Sequence, residues 1–162
     1  MALLLVGGLV TIALGGCSGS SSKGSPQGGG MQSGASAGAS GGDMAWGYVA
    51  SSERVKLQLM RAQSDQLVLD QVTVPTDAWV VVNIDQNGNP GRRVALQLLK
   101  QGAWKSVTVP VIGASNQKVI VALLADKGVR GKFEYDLAQK TKSPDRPYVV
   151  DGTAVSVTVW MR

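Results

Sequence analysis

The apolar and polar positions of the chain follow two different patterns, which meet near residue 46. From residue 54 onward, short segments alternate apolar and polar residues with a period of two, as in β-strands with one buried face. The segment 79–84 is apolar almost throughout, which suits a central strand of a sandwich. We predict strands at 54–61, 67–74, 79–84, 94–99, 104–111, 119–125, 132–137 and 155–161.

Turn-forming residues separate these segments, most clearly from Asp85 to Gly91. No segment repeats its apolar residues every 3.6 positions between helix caps, so we expect very little helix. The pattern therefore predicts an all-β domain at residues 46–162, an antiparallel immunoglobulin-like β-sandwich of seven or eight short strands.

The first residues contain a shorter apolar run, Ala2 to Leu14. It has the length of the hydrophobic part of a signal peptide, whereas a membrane-spanning helix needs about 20 residues. The run ends at Leu14 to Cys17, which resembles the lipobox of bacterial lipoproteins. The resemblance implies a signal peptide at 1–16, cleavage after Gly16 and acylation of Cys17. No Lys or Arg precedes the run, which indicates a start codon assigned too far downstream; a buried apolar helix with an incidental Cys is the alternative.

Residues 17–45 are rich in Gly and Ser, with Lys23 and Asp43 as their only charges. Such a segment is expected to be a disordered tether, with a root-mean-square span of roughly 30 Å. Two or more fatty chains on Cys17 would hold the protein stably on a membrane. We therefore expect an exported protein, lipid-anchored to the cell envelope at the outer membrane or cell surface. The alternative is a tether that becomes ordered along another protein.

Three groups of residues resemble, in order and spacing, an uncharacterised domain family of secreted and lipid-anchored proteins from halophilic archaea and Deinococcus-type bacteria. They are Pro75 to Val82, Asn87 to Gly91, and the later set Asp126, Gly128, Gly131, Phe133, Glu134 and Tyr135. The resemblance covers about residues 66–162 and implies an exported β-sandwich without an established activity. Members often carry His where this chain has Asn83 and Leu124, so a metal role of those histidines does not carry over.

The chain has no His and a single Cys. This composition excludes intramolecular disulfides, His-based acid–base catalysis, Cys/His zinc sites and His-ligated copper or iron. We therefore predict a protein that is not an enzyme and has no cofactor. A sandwich-type copper redox protein, similar to superoxide dismutase, is a remote alternative that the missing His disfavours.

One candidate metal site remains, at Asp85, Asn87 and Asn89, whose alternate spacing is that of oxygen ligands in calcium loops. The segment lacks the Gly at the sixth position and the distal Glu of an EF-hand. We favour a turn over a calcium site. We likewise interpret 126–131 as a hairpin turn rather than a phosphate loop, because it joins two predicted strands and opens no helix.

The net charge of +5 permits acidic partners. The candidate residues for an anionic ligand fall in two neighbouring loops: Lys127, Arg130, Lys132, Lys140, Lys142 and Arg146. They would form one basic edge for an acidic polysaccharide or lipid headgroups. A solvated face that protects edge strands is the alternative. No nucleic-acid-binding motif is present, so no nucleic acid is expected as a partner.

The aromatic residues divide into two predicted sets. Trp79, Trp160 and Phe133 are predicted to lie in the core because they fall within strands. The candidate surface aromatics, next to turns, are Trp46, Trp104 and Tyr148.

From these features we expect a non-catalytic cell-envelope lipoprotein, an accessory subunit whose sandwich docks on a surface-layer or outer-membrane assembly. The alternative is a binding module for anionic polysaccharide or lipid headgroups through the basic loops.

Overall fold

Two β-sheets pack face to face through the apolar side chains that alternate along their strands. The structure, a computed structural model, describes residues 43–162. Its strands are β1 Asp43–Met44, β2 Gly47–Val49, β3 Lys56–Ala62, β4 Gln66–Val74, β5 Ala78–Gln86, β6 Asn89–Leu99, β7 Gly102–Pro110, β8 Lys118–Ala125, β9 Arg146–Val150, β10 Thr153–Ala154 and β11 Ser156–Trp160. A single 3-10 turn, Leu137–Gln139, is the only helical element in this part of the chain.

The small sheet has the strand order β3-β4-β7 and is antiparallel throughout. The large sheet has the order β1-β2-β9-β8-β5-β6, with β10 paired to β9 and β11 paired to β8. Its one parallel pair among the described strands is β2 with β9, where Tyr48 lies beside Tyr148. The predicted all-β sandwich is confirmed. The described residues form eleven strands rather than the predicted seven or eight, because β1, β2 and β10 are only two or three residues long, and the β2–β9 pair is not antiparallel.

The core lies between the two sheets and is built mainly from β4, β5 and β8. A fully buried Val or Leu side chain contributes about 1.5–3 kcal/mol to folding. Side chains with at most 1% exposure include Leu67, Leu69, Val72, Val74, Val80, Val82, Val119, Val121 and Leu123.

The outer side of the large sheet carries a second apolar cluster, around Trp79, Val81 and Leu124. It is covered by the segment between β8 and β9, residues 126–145, which we call the outer-face loop. Phe133 of this loop contacts the Trp79 ring edge-on, with 5.6 Å between ring centroids. Because β5 and β8 are covered on both faces, their sequences are apolar almost without interruption.

The prediction of a strand at 132–137 is wrong, because this segment belongs to the outer-face loop. Its alternating Phe133, Tyr135 and Leu137 imitate a strand pattern, yet the segment pairs with no strand of the described chain. In contrast, the pattern does not predict β9, because Pro147 and the short length of the segment hide it.

The sheet begins before the predicted domain boundary at residue 46. β1 pairs with β2 at Asp43 and Met44, within the segment predicted as tether. The predicted signal peptide, Cys17 and the rest of the tether lie outside the described residues. The described residues contain no helix with the length and apolarity needed to cross a membrane.

Candidate functional site

Two of the predicted anion-binding residues form ion pairs with carboxylates of the same domain. The Nε and Nη2 atoms of Arg130 both lie 2.9 Å from Oδ2 of Asp77. The Nζ atom of Lys132 lies 2.9 Å from Oε1 of Glu134. An anionic ligand at either residue would have to compete with a carboxylate that is already in place.

Asp77 accepts hydrogen bonds from several donors at the edge of the outer-face loop. Its carboxylate accepts hydrogen bonds from the backbone N–H of Gln101 at 2.9 Å and from Nζ of Lys100 at 3.1 Å. The Gln101 bond, followed by Arg130 and Lys100, lowers the pKa of Asp77 from 3.8 to about 2. Asp77 is therefore ionised throughout the physiological range and fixes Arg130.

Lys127 and Arg146, a second pair of predicted residues, meet at the ring of Tyr48. The Lys127 Nζ atom lies 5.6 Å and the Arg146 Cζ atom 4.4 Å from the ring centroid, so both make cation–π contacts. Arg146 also donates a hydrogen bond to the carbonyl of Ala45. These contacts tie β9 and the outer-face loop to the β1–β2 segment.

Lys140 and Lys142 lie at the end of the 3-10 turn and are exposed. The six predicted residues thus fall into three separate groups: two in ion pairs, two on Tyr48 and two in solvent. Only the last pair presents its charge without a described intramolecular partner.

The outer-face loop owes its shape to three carboxylates rather than to a hairpin. Asp145 is fully buried and accepts from the backbone N–H of Lys127, Gly128 and Glu134 at 3.0, 3.4 and 2.7 Å. Glu134 accepts from the backbone N–H of Val129 at 2.7 Å, which lowers the pKa of Glu134 together with the Lys132 ion pair. Asp126 accepts from Gly131 N–H at 2.7 Å. The prediction of a hairpin turn at 126–131 is therefore wrong, and sequence reasoning missed Asp145.

The turn predicted at Asp85, Asn87 and Asn89 is confirmed. Asn87 and Gly88 both have positive φ, at 56° and 85°, as a two-residue hairpin loop requires. Asp85 Oδ1 accepts from Gly88 N–H at 2.6 Å, and Oδ2 lies 3.6 Å from Nζ of Lys118. The carboxylate that would ligate calcium is thus used by the turn and by a lysine. Within residues 43–162, no group of three or more Asp, Glu, Cys or His could hold a metal ion.

The aromatic predictions are partly correct. Trp79 is buried, and Trp46 and Trp104 are exposed, as expected. Trp160, predicted to lie in the core, is instead 56% exposed, because β11 is short and directs alternate residues outward. Tyr148, predicted at the surface, is only 3% exposed. Its hydroxyl bonds to Thr76 Oγ1 at 2.7 Å, and burial raises the pKa of Tyr148.

Phe133 is only partly buried, because it packs on the outer cluster rather than in the core between the sheets.

A groove of about 290 Å³ lies on the outer side of the large sheet, beside the outer-face loop. We call it the outer groove. Trp46 borders it from the β1–β2 turn, and Tyr135 and Leu137 border it from the loop. Its floor consists of strand residues: Val81, Asn83, Ile120, Ala122, Leu124, Ser156 and Thr158. The floor is therefore mostly apolar, and Lys140 is the one charged side chain among its described lining residues.

Asn83 is the most buried polar side chain of the outer groove, at 9% exposure. Its amide has no hydrogen-bond partner among the residues that the structure describes, so it is available to a bound group. Asn83 and Leu124, the two positions where the resemblance would place histidines, both line this groove. No sequence signal marked it, because its residues come from six separate segments of the chain.

Comparison with known families identifies one match. The family model for a domain of unknown function (DUF7282) matches residues 53–161. No curated protein and no solved structure matches the chain.

Proposed function

The chain belongs to the DUF7282 family of domains of unknown function, and from this premise we propose that it is a non-catalytic accessory lipoprotein of the cell envelope. In this proposal, a lipid on Cys17 holds it at the outer membrane or cell surface. Its sandwich then docks on a surface-layer or outer-membrane assembly through the outer groove. The proposal has two separable parts, the anchor and the docking surface.

The anchor is supported by the sequence Leu14 to Cys17 and by the Gly/Ser-rich segment that follows it. Each buried methylene of a fatty chain contributes about 0.8 kcal/mol, so two chains retain a protein on a membrane. A Cys17→Ser variant should leave the membrane fraction. Retention of this variant in washed membranes would contradict the anchor without affecting the docking surface.

The single observation that carries the docking proposal is the outer groove itself. The groove has a floor of sheet residues that is mostly apolar, and Trp46 and Leu137 border it. Covering this floor with a partner removes apolar surface from water, which favours binding. Both bordering side chains are more than a third exposed, at 36% and 38%. Large apolar side chains around a concave surface are typical of the centres of protein–protein interfaces.

The chemistry of the lining indicates the kind of partner. Lys140 is the one charged residue among the described lining residues, and Asn83 supplies one amide on the floor. The matching occupant is an extended segment of an envelope protein, with apolar side chains for the floor and a carboxylate for Lys140. A polysaccharide, whose surface is dense in hydroxyls, fits this floor less well, because only three of the seven floor residues are polar, namely Asn83, Ser156 and Thr158.

The outer groove is formed before any partner binds. Its loop side is held by the buried Asp145 and its β1–β2 side by the contacts of Lys127 and Arg146 with Tyr48. A surface held in this way loses little conformational entropy on binding, which favours affinity.

Substitutions at the outer groove test the docking proposal in the full-length lipidated protein. Leu137→Ser removes an apolar wall, and Lys140→Glu reverses the one charge. Each should weaken co-purification with a single envelope protein by about tenfold. Ile112→Ser is the matched control, because Ile112 is 79% exposed and does not line the groove.

The partner segment is then tested as a synthetic peptide. Binding of the peptide should fall when its carboxylate is replaced by an amide. Lys140→Glu should reverse that difference, because the new carboxylate repels the carboxylate of the peptide. Equal recovery of the envelope protein with Leu137→Ser, Lys140→Glu and Ile112→Ser would overturn the docking proposal.

A further inference from the structure

A second concave surface lies at the tip of the β5–β6 hairpin, next to the outer groove, with which it shares Gly88. This hairpin-tip cleft has a volume of about 460 Å³, within the range of about 300–1,000 Å³ that is usual for small-ligand sites. Trp160, at the end of β11, lines it together with polar residues from the β5–β6 hairpin and from the start of β8 and the turn before it. Those residues are Asp85, Asn87, Asn116, Gln117 and Lys118.

We propose that the hairpin-tip cleft binds an uncharged pyranose unit of an envelope polysaccharide, with Trp160 as its stacking platform. This site goes beyond the docking surface proposed above. Neither Leu137 nor Lys140, the residues substituted in the docking test, lines it.

Trp160 supplies the apolar part of the site. It is 56% exposed, although most of its neighbours in β8 are buried. The face of an indole ring carries negative partial charge and attracts the polarised C–H bonds on the face of a pyranose ring. Lys118 lies directly opposite Trp160 in the β8–β11 pair, so the platform and the polar residues are neighbours by register.

The polar residues supply donors and acceptors for sugar hydroxyl groups. A hydroxyl both donates and accepts, and an amide side chain offers both functions at once. The side-chain amides of Asn87 and Asn116 are exposed and make no hydrogen bond to any residue that the structure describes. They are therefore available to a ligand that lies on Trp160.

The charges of the cleft favour an uncharged sugar over an acidic one. Lys118 and Asp85 are its described charged residues, and they pair with each other at 3.6 Å. Since one positive and one negative charge cancel, the cleft has no net attraction for an anion. Binding here should change little with salt, unlike binding through the basic loops.

The backbone holds the cleft in shape. Asn87 and Asn116 both have φ of 56°, which places each in a tight turn. Backbone hydrogen bonds join Asn116 N–H to the carbonyl of Met161 and Met161 N–H to the carbonyl of Gln117, at 3.0 and 2.9 Å. The last strand and the turn before β8 are thereby fixed together, so Trp160 and Asn116 keep their relative positions.

Affinity electrophoresis of the full-length protein in mild detergent tests this site. The probes are dextran, mannan, a neutral galactan and the polysaccharide extracted from the envelope of the source organism. The mobility of the protein should fall in at least one of these gels, and Trp160→Ala should raise the dissociation constant by about tenfold or more. Trp160→Phe, which keeps an aromatic face, should retain most of the retardation.

Three further variants localise the binding to the hairpin-tip cleft. Trp104→Ala removes another exposed tryptophan, on β7, and should leave the retardation unchanged. Asn116→Gly removes the amide but accommodates the positive φ, and should weaken binding several-fold without unfolding the protein. Leu137→Ser should have no effect, which distinguishes this site from the outer groove.

Three results would overturn the proposal. The first is no retardation by any of the probes. The second is equal retardation of the Trp160→Ala variant. The third is retardation that disappears between about 50 mM and about 500 mM salt, which would assign binding to the basic loops.

Discussion

Asp145 shows how one buried residue can determine the shape of a long loop. It is fully buried, and its carboxylate accepts three backbone N–H groups that would otherwise lack partners. Hydrogen bonds from backbone N–H groups to a carboxylate are stronger than those to a neutral acceptor, because they are charge-assisted. The composition of the loop gave no sign of this role, since its partners lie up to 18 residues away in sequence.

Replacing Asp145 with Asn tests this role. The amide keeps the size of the side chain but loses the charge and one acceptor, so the free energy of unfolding should fall by about 3 kcal/mol. Urea denaturation measures the change. Asp70→Asn, at an exposed position of β4, is the control and should change stability by less than about 0.5 kcal/mol. A similar small loss in both variants would contradict the role of Asp145.

The lowered pKa of Asp77 makes the free energy of unfolding depend on pH in the acidic range. Its pKa is lowered from 3.8 to about 2 in the folded chain, so the folded state prefers the ionised form more than the unfolded state does. The resulting stabilisation is fully present above about pH 4 and is lost as the pH falls towards about 2. The difference in urea midpoint between the wild type and Asp77→Asn should therefore be large at about pH 5 and shrink towards about pH 2. A difference that stays constant over this range would contradict the assignment.

Two tryptophans show how far the burial of a single side chain could be predicted from the sequence. Trp79 lies in an apolar run and is buried, as its neighbours indicate. Trp160 lies in an alternating segment and shares its strand face with Ser156 and Thr158, and it is exposed because nothing described covers the end of β11. The sequence shows which residues share a strand, whereas coverage depends on loops that pack from elsewhere in the chain.

At the scale of elements, most strands could be predicted because their apolar residues alternate and turn residues separate them. The strongest case is β5, whose apolar run and Asn87–Gly88 turn both appear in the structure. The strand prediction at 132–137 fails because Phe133 and Tyr135 pack on a sheet face without joining a sheet. Alternating apolar and polar residues indicate that one face of a segment is buried. A β-strand also requires backbone hydrogen bonds to a neighbouring strand, which the alternation does not show.

The β1–β2 segment is the element on which the outer groove most directly depends. Gly47 lies in the parallel pair with β9, and a Cβ atom at this position would clash with Cγ2 of Val149 and lie 2.9 Å from the carbonyl oxygen of Pro147. Gly47→Ala should therefore detach β1 and β2, and Trp46 with them, while the core between the sheets remains folded.

Hydrogen exchange measured by mass spectrometry checks this prediction. Amides of residues 43–49 should lose protection in Gly47→Ala by about tenfold or more, and amides of β4 and β8 should keep it. Ser52→Ala, at an exposed position, is the control. Unchanged protection of residues 43–49 would show that the segment tolerates the extra methyl group.

At the scale of the whole molecule, the sequence could predict the class of fold and exclude chemistry that depends on His or on pairs of Cys. It could not predict the outer groove, because Trp46, Val81, Ile120 and Leu137 converge only when the loop folds back over the sheet. The sequence does show the basic residues Arg130 and Lys132. It does not show that they form ion pairs with Asp77 and Glu134. Candidate sites are thus set by long-range packing, which a single sequence does not record.

In the proposed function, the outer groove holds an extended segment of an envelope protein. Site-specific photo-cross-linking in intact cells tests it most directly, with a benzophenone amino acid placed at position 137 or, as a control, at position 105. Leu137 borders the groove, and Lys105 is exposed on β7 of the other sheet. We predict a single envelope protein cross-linked from position 137, through a segment with apolar residues and a carboxylate, and no such product from position 105. The absence of a product at 137, or the same product from both positions, would rule out docking through the outer groove.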